Sequence, residues 1–116
     1  MRIMSAAEAV KLINSGDSIY IQGSTSIPEV LSQALADRGN ELKDVTIYAA
    51  FAVGRCEAPY CKPEYKDAFH VKSLFVANNI RKWLAAGYGT TIPAFLGEIP
   101  GLFRDGTLPL DAVFLN

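Results

Sequence analysis

Histidine and cysteine are scarce in this chain of 116 residues. It contains one histidine, His70, and two cysteines, Cys56 and Cys61, with four residues between them. A closed zinc site needs four ligands, usually cysteine and histidine side chains, so the composition argues against a bound metal. We also expect no structural disulfide between the two cysteines.

Long apolar runs and blocks of like charge are missing as well. The net charge is −1, and no basic or acidic block indicates nucleic acid or an anionic membrane as a partner. No apolar run is long enough to cross a bilayer, and Glu8 and Lys11 come too early for a signal-peptide core. Apolar residues make up 50% and charged residues 20%, which is typical of one globular domain. A cytoplasmic location is the default expectation.

What the chain does contain is a distinctive stretch at residues 22–28. It follows a short apolar run at 19–21 and precedes a helical pattern at 29–37, so we predict a strand, a tight loop and a helix. Gly23 can adopt backbone angles that other residues avoid, and Pro28 suits the first turn of a helix. Between them stand three hydroxyl residues, Ser24, Thr25 and Ser26. Such a loop can hold an anion or a polarised carbonyl, although the same residues also suit a βα turn without a ligand.

The rest of the chain alternates strands with helices. A capping box at Ser5 and Glu8 predicts a first helix that ends before Ser15-Gly16-Asp17. We predict four strands, at 18–22, 45–51, 71–76 and 111–116, and further helices at 28–38, after a cap at Asn78, and from Pro93 with an interruption at Pro100-Gly101. Loops are predicted at 54–65 and 87–91, with a helical turn at 63–66. This alternation favours an α/β fold with a mainly parallel sheet.

The end of the sequence has an unfinished pattern. Apolar residues continue to Leu115, where a buried strand would normally lead into a turn. A small parallel sheet with helices on both faces would also have edges that need cover. We therefore expect residues 1–116 to form one domain that is incomplete at its C-terminus and belongs to a longer chain.

Four stretches together resemble a known family. They are Ser15-Gly16-Asp17, the loop at 22–28 with Val30-Leu31, the segment Lys62-Pro63-Glu64-Tyr65-Lys66 with Phe69, and the segment from Arg81 onward with Gly87, Pro93, Phe95, Glu98-Ile99-Pro100 and Leu110-Asp111-Ala112-Val113. In this order and spacing they resemble the N-terminal domain of the acetyl-CoA hydrolase/transferase family. The resemblance covers nearly the whole chain, and it implies a Rossmann-like, three-layer α/β domain of the CoA-transferase type.

The resemblance also implies an activity for the parent protein. Family members transfer coenzyme A from a short-chain acyl-CoA, such as 4-hydroxybutyryl-CoA or acetyl-CoA, to a free carboxylate through a glutamyl-CoA thioester. Coenzyme A would therefore be a substrate, and we expect this chain to bind no cofactor. The nucleophilic glutamate belongs to the second half of family members, which has no counterpart here, so we assign no catalytic residue and expect the chain alone to be inactive.

Substrate-binding residues are expected in the loop at 22–28. The resemblance implies that this loop faces a cleft between two domains, where Gly23, Ser24, Thr25 and Ser26 are candidates for contact with the acyl group or carboxylate. Arg81, at a predicted strand-to-helix junction, can clamp a carboxylate in bidentate fashion, or it can be an ordinary surface arginine.

Other polar and aromatic residues receive structural interpretations. We expect His70 to be half-buried and bonded to backbone, in preference to a general base. Glu98 is expected to be a solvated or capping carboxylate, and Trp83 a core or interdomain contact. Residues 88–91 suit a cleft lip and a solvated loop equally well.

The expected partners are an acyl-CoA, a short-chain carboxylate, the second domain and another copy of the chain. Two alternatives stay open. One is a complete small α/β module that binds a ligand at the loop. The other is hydrolysis of acetyl-CoA on the same scaffold.

Overall fold

In the part of the chain that the structure describes, the fold is a five-stranded parallel sheet between layers of helices. The computed structural model describes residues 1–50 and 58–116. The strands are β1 (Ser18–Ile21), β2 (Val45–Ala49), β3 (Phe69–Ser73), β4 (Gly89–Thr91) and β5 (Ala112–Phe114). The α-helices are α1 (Ala6–Ala9), α2 (Glu29–Ala36), α3 (Asn78–Ala85) and α4 (Ile99–Arg104), and two 3-10 helices span Val10–Leu12 and Pro63–Tyr65. Within these described ranges the strand order is β4-β3-β2-β1-β5, and every pair is parallel.

Alternation along the central strands divides the core between two faces. Ile19 and Ile47 lie on the face covered by α2 and α3, where they join one cluster with Leu35. Tyr48 lies in a second cluster with residues of α4, and its ring meets the ring of Phe103 edge-on, with 5.3 Å between centroids. Ile19 and Ile47 are both 0% exposed, so each contributes about 1.5–3 kcal/mol by burial. The domain is therefore three-layered, and the expected α/β fold with a parallel sheet is confirmed.

The predicted capping box at the first helix is confirmed. The Glu8 N–H donates to Ser5 Oγ over 3.3 Å, and the Ser5 N–H donates to Glu8 Oε2 over 2.8 Å. This backbone hydrogen bond lowers the pKa of the Glu8 carboxyl. Farther on, the Arg38 guanidinium donates to the carbonyls of Val10 and Ile13. These hydrogen bonds connect the amino-terminal helices to the residues that follow α2.

The prediction of a loop at 87–91 is wrong, because Gly89–Thr91 forms β4 beside β3. Its three residues are too few to show a period of apolar side chains, so the pairing with β3 decides the conformation. The glycine is required by close packing, since a Cβ on Gly89 would lie 2.9 Å from the Val71 carbonyl oxygen and 2.8 Å from Leu84 Cδ2. With β4 included, the described part of the sheet has five strands instead of the predicted four.

Two predicted helix starts are also corrected. Ala77, which is extended with φ −91° and ψ 171°, is the N-cap of α3, and Asn78 is its first helical residue. Pro93 does not open a helix, because α4 begins at Ile99 with Glu98 as its N-cap. Pro100 lies in the first turn of α4, where a proline has no N–H to leave unpaired, so it does not interrupt the helix.

The remaining boundaries differ by a few residues. β3 covers Phe69–Ser73 instead of the predicted 71–76. The predicted helical turn at 63–66 is confirmed as the 3-10 helix Pro63–Tyr65. Residues 51–57, which hold Cys56, the predicted end of the second strand and part of the predicted loop at 54–65, lie outside the described residues.

Candidate functional site

The loop at 22–28 lies at the carboxyl edge of the sheet. It follows β1, and β5 runs parallel to β1 as its direct neighbour. The Gln22 N–H donates to the Phe114 carbonyl over 3.0 Å, and Gln22 Oε1 accepts from the Asn116 N–H over 2.9 Å. These two bonds hold the start of the loop against the residues that follow β5. Crevices at the carboxyl ends of parallel strands are the usual ligand sites of α/β sheets.

The loop turns at Thr25 and Ser26, directly after Ser24, which has an unusual backbone conformation. The φ of Ser24 is 63°, in the left-handed region, whereas Gly23 lies outside that region. The sequence allows the unusual conformation at Gly23, whereas the structure has it one residue later, at Ser24. This conformation costs a residue with a Cβ about 1–2 kcal/mol. Strain of this size is common where a loop is shaped for a ligand.

Helix α2 begins without a side-chain cap. Its N-cap is Pro28, with φ −76° and ψ 76°, so the helix starts at Glu29 and not at the proline. The Glu29 N–H donates to the Ile27 carbonyl over 2.9 Å, while the N–H groups of Val30 and Leu31 donate to none of the described residues. Unpaired N–H groups at a helix start carry a positive partial charge and can bind a ligand oxygen.

A cavity of about 370 Å³ opens between this loop, the start of α2 and the end of β5. We call it the loop cavity, and its lining residues are Thr25, Ile27, Pro28, Glu29, Val30, Leu31, Leu115 and Asn116. Of the three predicted hydroxyl residues, Thr25 lines the cavity, whereas Ser24 and Ser26 do not. Thr25 is exposed, and its hydroxyl has no hydrogen bond to any described residue. The Thr25 hydroxyl is therefore available to a ligand.

The wall of the loop cavity combines apolar side chains with a few polar groups. Its apolar part comes from Ile27, Pro28, Leu31 and Leu115. Its polar residues are Thr25, Glu29 and Asn116, and the start of α2 adds the free N–H groups of Val30 and Leu31. A mostly apolar cavity with a few placed polar groups suits a small organic ligand. Sequence reasoning did not identify Leu115 and Asn116 as cavity residues, because their position beside the loop depends on the pairing of β5 with β1.

Arg81 lies apart from the loop cavity. It is exposed on α3, it is absent from the cavity wall, and it forms no ion pair with a described residue. Helix α3 follows β3, which is separated from β1 by β2. A carboxylate clamp at Arg81 stays a prediction, and the described fold does not bring this residue together with Thr25.

His70 is exposed and not half-buried as expected, and its partner also differs from the prediction. Its Nε2 lies 3.0 Å from Asp44 Oδ1, and 49% of its side chain is exposed. The expected backbone bond is replaced by a carboxylate, because Asp44 immediately precedes β2 and β2 pairs with β3. This pair is at the amino ends of the strands, opposite to the loop cavity, so His70 has no route to a ligand there.

The thiol of Cys61 is buried and inert. Its Sγ lies 3.7 Å from the Tyr88 carbonyl oxygen, and burial raises the pKa of the thiol to about 11. Cys56, with which we expect no disulfide, lies outside the described residues. Among the residues that the structure describes, no three histidine, cysteine or acidic side chains gather as a metal site.

Trp83 and Glu98 have structural roles. Trp83 packs against the main core cluster and meets the Tyr88 ring edge-on, with 6.4 Å between centroids. The Lys82 ammonium lies 4.7 Å from the centroid of the tryptophan ring. Glu98 is exposed, which agrees with a solvated carboxylate, and its Oε2 accepts from the Phe95 N–H over 3.0 Å in the turn before α4 without capping the helix.

Three comparisons with known proteins agree with one another. Residues 1–116 match the family profile of the acetyl-CoA hydrolase/transferase N-terminal domain. The chain is 30% identical over 111 residues to the succinyl-CoA:acetate/propanoyl-CoA:succinate CoA transferase of Fasciola hepatica, a match that covers 94% of this chain and 22% of the relative. It is 29% identical over 104 residues to the butyryl-CoA:acetate CoA-transferase of Anaerostipes caccae, with 90% of this chain and 23% of the relative covered.

A solved structure shares the fold. The crystal structure of 4-hydroxybutyrate CoA-transferase from Porphyromonas gingivalis superimposes with a TM-score of 0.72 at 24% identity. The match covers 98% of this chain and 24% of that one, and at this identity it shows the fold alone. The chain thus spans less than a quarter of the length of the two relatives named above. In the part of the chain that the structure describes, no helix has the length and apolar character needed to cross a bilayer.

Proposed function

Because this chain belongs to the acetyl-CoA hydrolase/transferase family, we propose that it is the N-terminal domain of a CoA-transferase. The full-length protein would move coenzyme A between a short-chain acyl-CoA, such as 4-hydroxybutyryl-CoA or acetyl-CoA, and a carboxylate. The names of the relatives support this proposal, since each is a CoA-transferase. They differ in the acyl group, which ranges from succinyl to butyryl, so the relatives alone leave the acyl group open.

The loop cavity is the observation that carries the proposed role of this domain. An acyl chain fits against the apolar wall formed by Ile27, Pro28 and Leu31. We assign the Thr25 hydroxyl and the free N–H groups of α2 to an oxygen of the same substrate, and the position of Thr25 in the cavity lining supports this assignment. We assign the domain the task of positioning the acyl group, with Thr25 as the contact and Gly23, Ser24 and Ser26 as the frame that shapes the loop.

The chemical step is assigned to the remainder of the protein. By resemblance to the family, a glutamate carboxylate there attacks the thioester carbonyl and displaces the coenzyme A thiolate, which leaves an acyl-glutamyl anhydride. The thiolate then attacks the glutamyl carbonyl, so that the acyl group leaves as a free carboxylate and a glutamyl-CoA thioester remains, which a second carboxylate resolves by the same steps in reverse. Glu29 lines the loop cavity, but it is the first residue of α2 and does not match the position of that nucleophile. The isolated domain is therefore proposed to be inactive, and coenzyme A to be a substrate of the whole enzyme.

Apolar side chains in the loops after the strands support a partner at the carboxyl edge. Phe95 and Leu96 follow β4 and are 80% and 75% exposed, and Leu115 follows β5 and is 62% exposed. Exposed apolar groups of this kind commonly belong to an interface. We assign them to contact with the second domain or with another copy in a homo-oligomer, which light scattering of the full-length protein can distinguish. A cytoplasmic location stays a prediction from the sequence.

Hydrolysis of acetyl-CoA is the second candidate function, because the matched family includes hydrolases by its description. The two reactions differ in the acceptor of the acyl group. A transferase needs a carboxylate, whereas a hydrolase releases free coenzyme A with water alone. A self-contained binding module is the third candidate, and a natural gene product of only 116 residues in intact-mass spectrometry would favour it.

The proposed function is tested with the full-length gene product, butyryl-CoA and isotopically labelled acetate. The proposal predicts labelled acetyl-CoA with no net loss of thioester. Release of free coenzyme A at the same rate with and without acetate would favour the hydrolase. The absence of turnover with acetyl-CoA, butyryl-CoA and 4-hydroxybutyryl-CoA would contradict both enzymatic functions.

A further inference from the structure

We propose that Gln22 is a positioning residue for the acyl group, because its side-chain oxygen holds Leu115 and Asn116 at the wall of the loop cavity. Gln22 itself is not among the lining residues, so it acts through these two neighbours. This inference rests on the proposed function and deepens it by naming the group that keeps the cavity wall in place.

The hydrogen bonds between β1 and β5 pass from main chain to side chain at Gln22. The register of the two strands, continued by one position, pairs Gln22 with Leu115. In a parallel pair, such a residue donates its N–H to the residue before its partner and accepts at its carbonyl from the residue after it. The Gln22 N–H does donate to the Phe114 carbonyl over 3.0 Å, but the Asn116 N–H donates to Gln22 Oε1 over 2.9 Å. The side-chain oxygen thus takes the place of the main-chain carbonyl.

This exchange allows the backbone to leave the strand directly after Gln22. The main-chain carbonyl of Gln22 accepts no hydrogen bond from a described residue, so it does not tie the loop to β5. Two residues on, Ser24 has a φ of 63°, and Thr25 then lines the loop cavity. The opposite end of the same strand pair has a similar arrangement, since the Ser18 N–H donates to Asp111 Oδ2 over 2.8 Å. Side-chain oxygens therefore replace main-chain acceptors where the pairing of β1 with β5 begins and ends.

Core packing does not hold Leu115 and Asn116 at the cavity. Phe114 is 7% exposed and belongs to the main core cluster, whereas Leu115 is 62% exposed and belongs to neither cluster of the described core. Asn116 is exposed as well, and its bond to Gln22 Oε1 is its only hydrogen bond to a described residue. The position of these two residues in the same cavity wall as Thr25 therefore depends on the Gln22 side chain.

The expected consequence concerns the methylene groups of the acyl chain. Leu115 is part of the apolar wall, so its displacement removes contact from a butyryl chain but not from an acetyl group, which has no methylene group. Removal of one methylene group from water corresponds to roughly a fourfold gain in affinity. Loss of one such contact should therefore lower the preference for butyryl-CoA over acetyl-CoA about fourfold. The effect should appear in KM, because the substrate and the transition state lose the contact alike.

The test measures kcat and KM of the full-length enzyme with butyryl-CoA or acetyl-CoA as the donor and isotopically labelled acetate as the acceptor. In Gln22→Met, which keeps the length but lacks the oxygen, the butyryl-to-acetyl ratio of kcat/KM should fall about fourfold. In Gln22→Glu, a carboxylate oxygen accepts the same bond, so the ratio should stay close to the wild-type value. Gln33→Met is the matched control and should leave the ratio unchanged, since Gln33 is exposed on α2, donates to Asp37 and does not line the loop cavity.

Gln22→Asn is a second variant that keeps the proposal testable if Gln22→Met does not fold. Its amide is one methylene group shorter and is too short to reach the Asn116 N–H, so the ratio should fall as in Gln22→Met. Failure of both variants to fold would make Gln22 a residue for stability and would overturn the positioning role.

The outcomes separate this inference from the function on which it rests. No transfer from either donor in the wild-type protein contradicts the CoA-transferase function itself. Transfer from acetyl-CoA with none from butyryl-CoA contradicts only a wall that binds the acyl chain. Wild-type ratios in folded Gln22→Met and Gln22→Asn, or equal losses for both donors, contradict the positioning role. A ratio in Gln22→Glu as low as that in Gln22→Met excludes Oε1 as the group responsible.

Discussion

Arg38 joins two parts of the chain that are distant in sequence, and its replacement tests the account of how the amino-terminal helices are held. The guanidinium donates to the carbonyls of Val10 and Ile13, and only 20% of the side chain is exposed. Hydrogen bonds from a charged donor contribute about 1.5–3 kcal/mol each. Water reaches part of the site, so we take the lower end of this range for each of the two bonds. Arg38→Met is therefore expected to lower the free energy of unfolding by about 3 kcal/mol.

The assay is urea and thermal unfolding of the chain, followed by circular dichroism. At about 4 °C per kcal/mol for a domain of this size, the melting temperature should fall by roughly 12 °C. Glu41→Gln is the control, because it removes only the exposed ion pair between Arg38 and Glu41, which is 3.2 Å long and contributes about 0.2–1 kcal/mol. A loss below about 1 kcal/mol in Arg38→Met, or equal losses in both variants, would refute the assignment.

Two further predictions concern the outer strand and the buried thiol. Asp111 Oδ2 accepts from the Ser18 N–H over 2.8 Å and so connects β5 to β1. In urea unfolding, Asp111→Ala should lower the free energy of unfolding by about 1.5 kcal/mol. An unchanged unfolding midpoint would contradict this role. Burial raises the pKa of the Cys61 thiol to about 11. A protein with Cys61 as its sole cysteine should therefore react with a thiol reagent at pH 8 only after unfolding. Rapid labelling of the native state would contradict the buried position.

Local signals made much of the fold predictable from the sequence. The capping box needs only Ser5 and Glu8, three positions apart, and the structure contains both of its hydrogen bonds. The strand at Val45–Ala49 is recognisable because it is buried on both faces and therefore almost continuously apolar. Each of these features is determined by neighbours along the chain, so sequence reasoning has access to it.

Features set by distant contacts were not predictable. β4 has three residues, and its strand conformation depends on pairing with β3. The pairing of β5 with β1 brings Asn116 to Gln22, 94 positions apart in sequence, and thereby completes the wall of the loop cavity. Which of the three hydroxyl residues lines this cavity likewise depends on the path of the loop, in which Ser24 has a φ of 63° and Thr25 lines the cavity.

The central claim is that the loop cavity positions the acyl group through Thr25, and the most direct measurement is kcat/KM for butyryl-CoA in full-length Thr25→Val. Loss of one hydrogen bond is expected to lower it about three- to tenfold, and Thr25→Ser should restore most of the activity. Thr46→Val, at the amino end of β2, is the control and should stay near the wild-type value. Equal activity in Thr25→Val and wild type would contradict the claim.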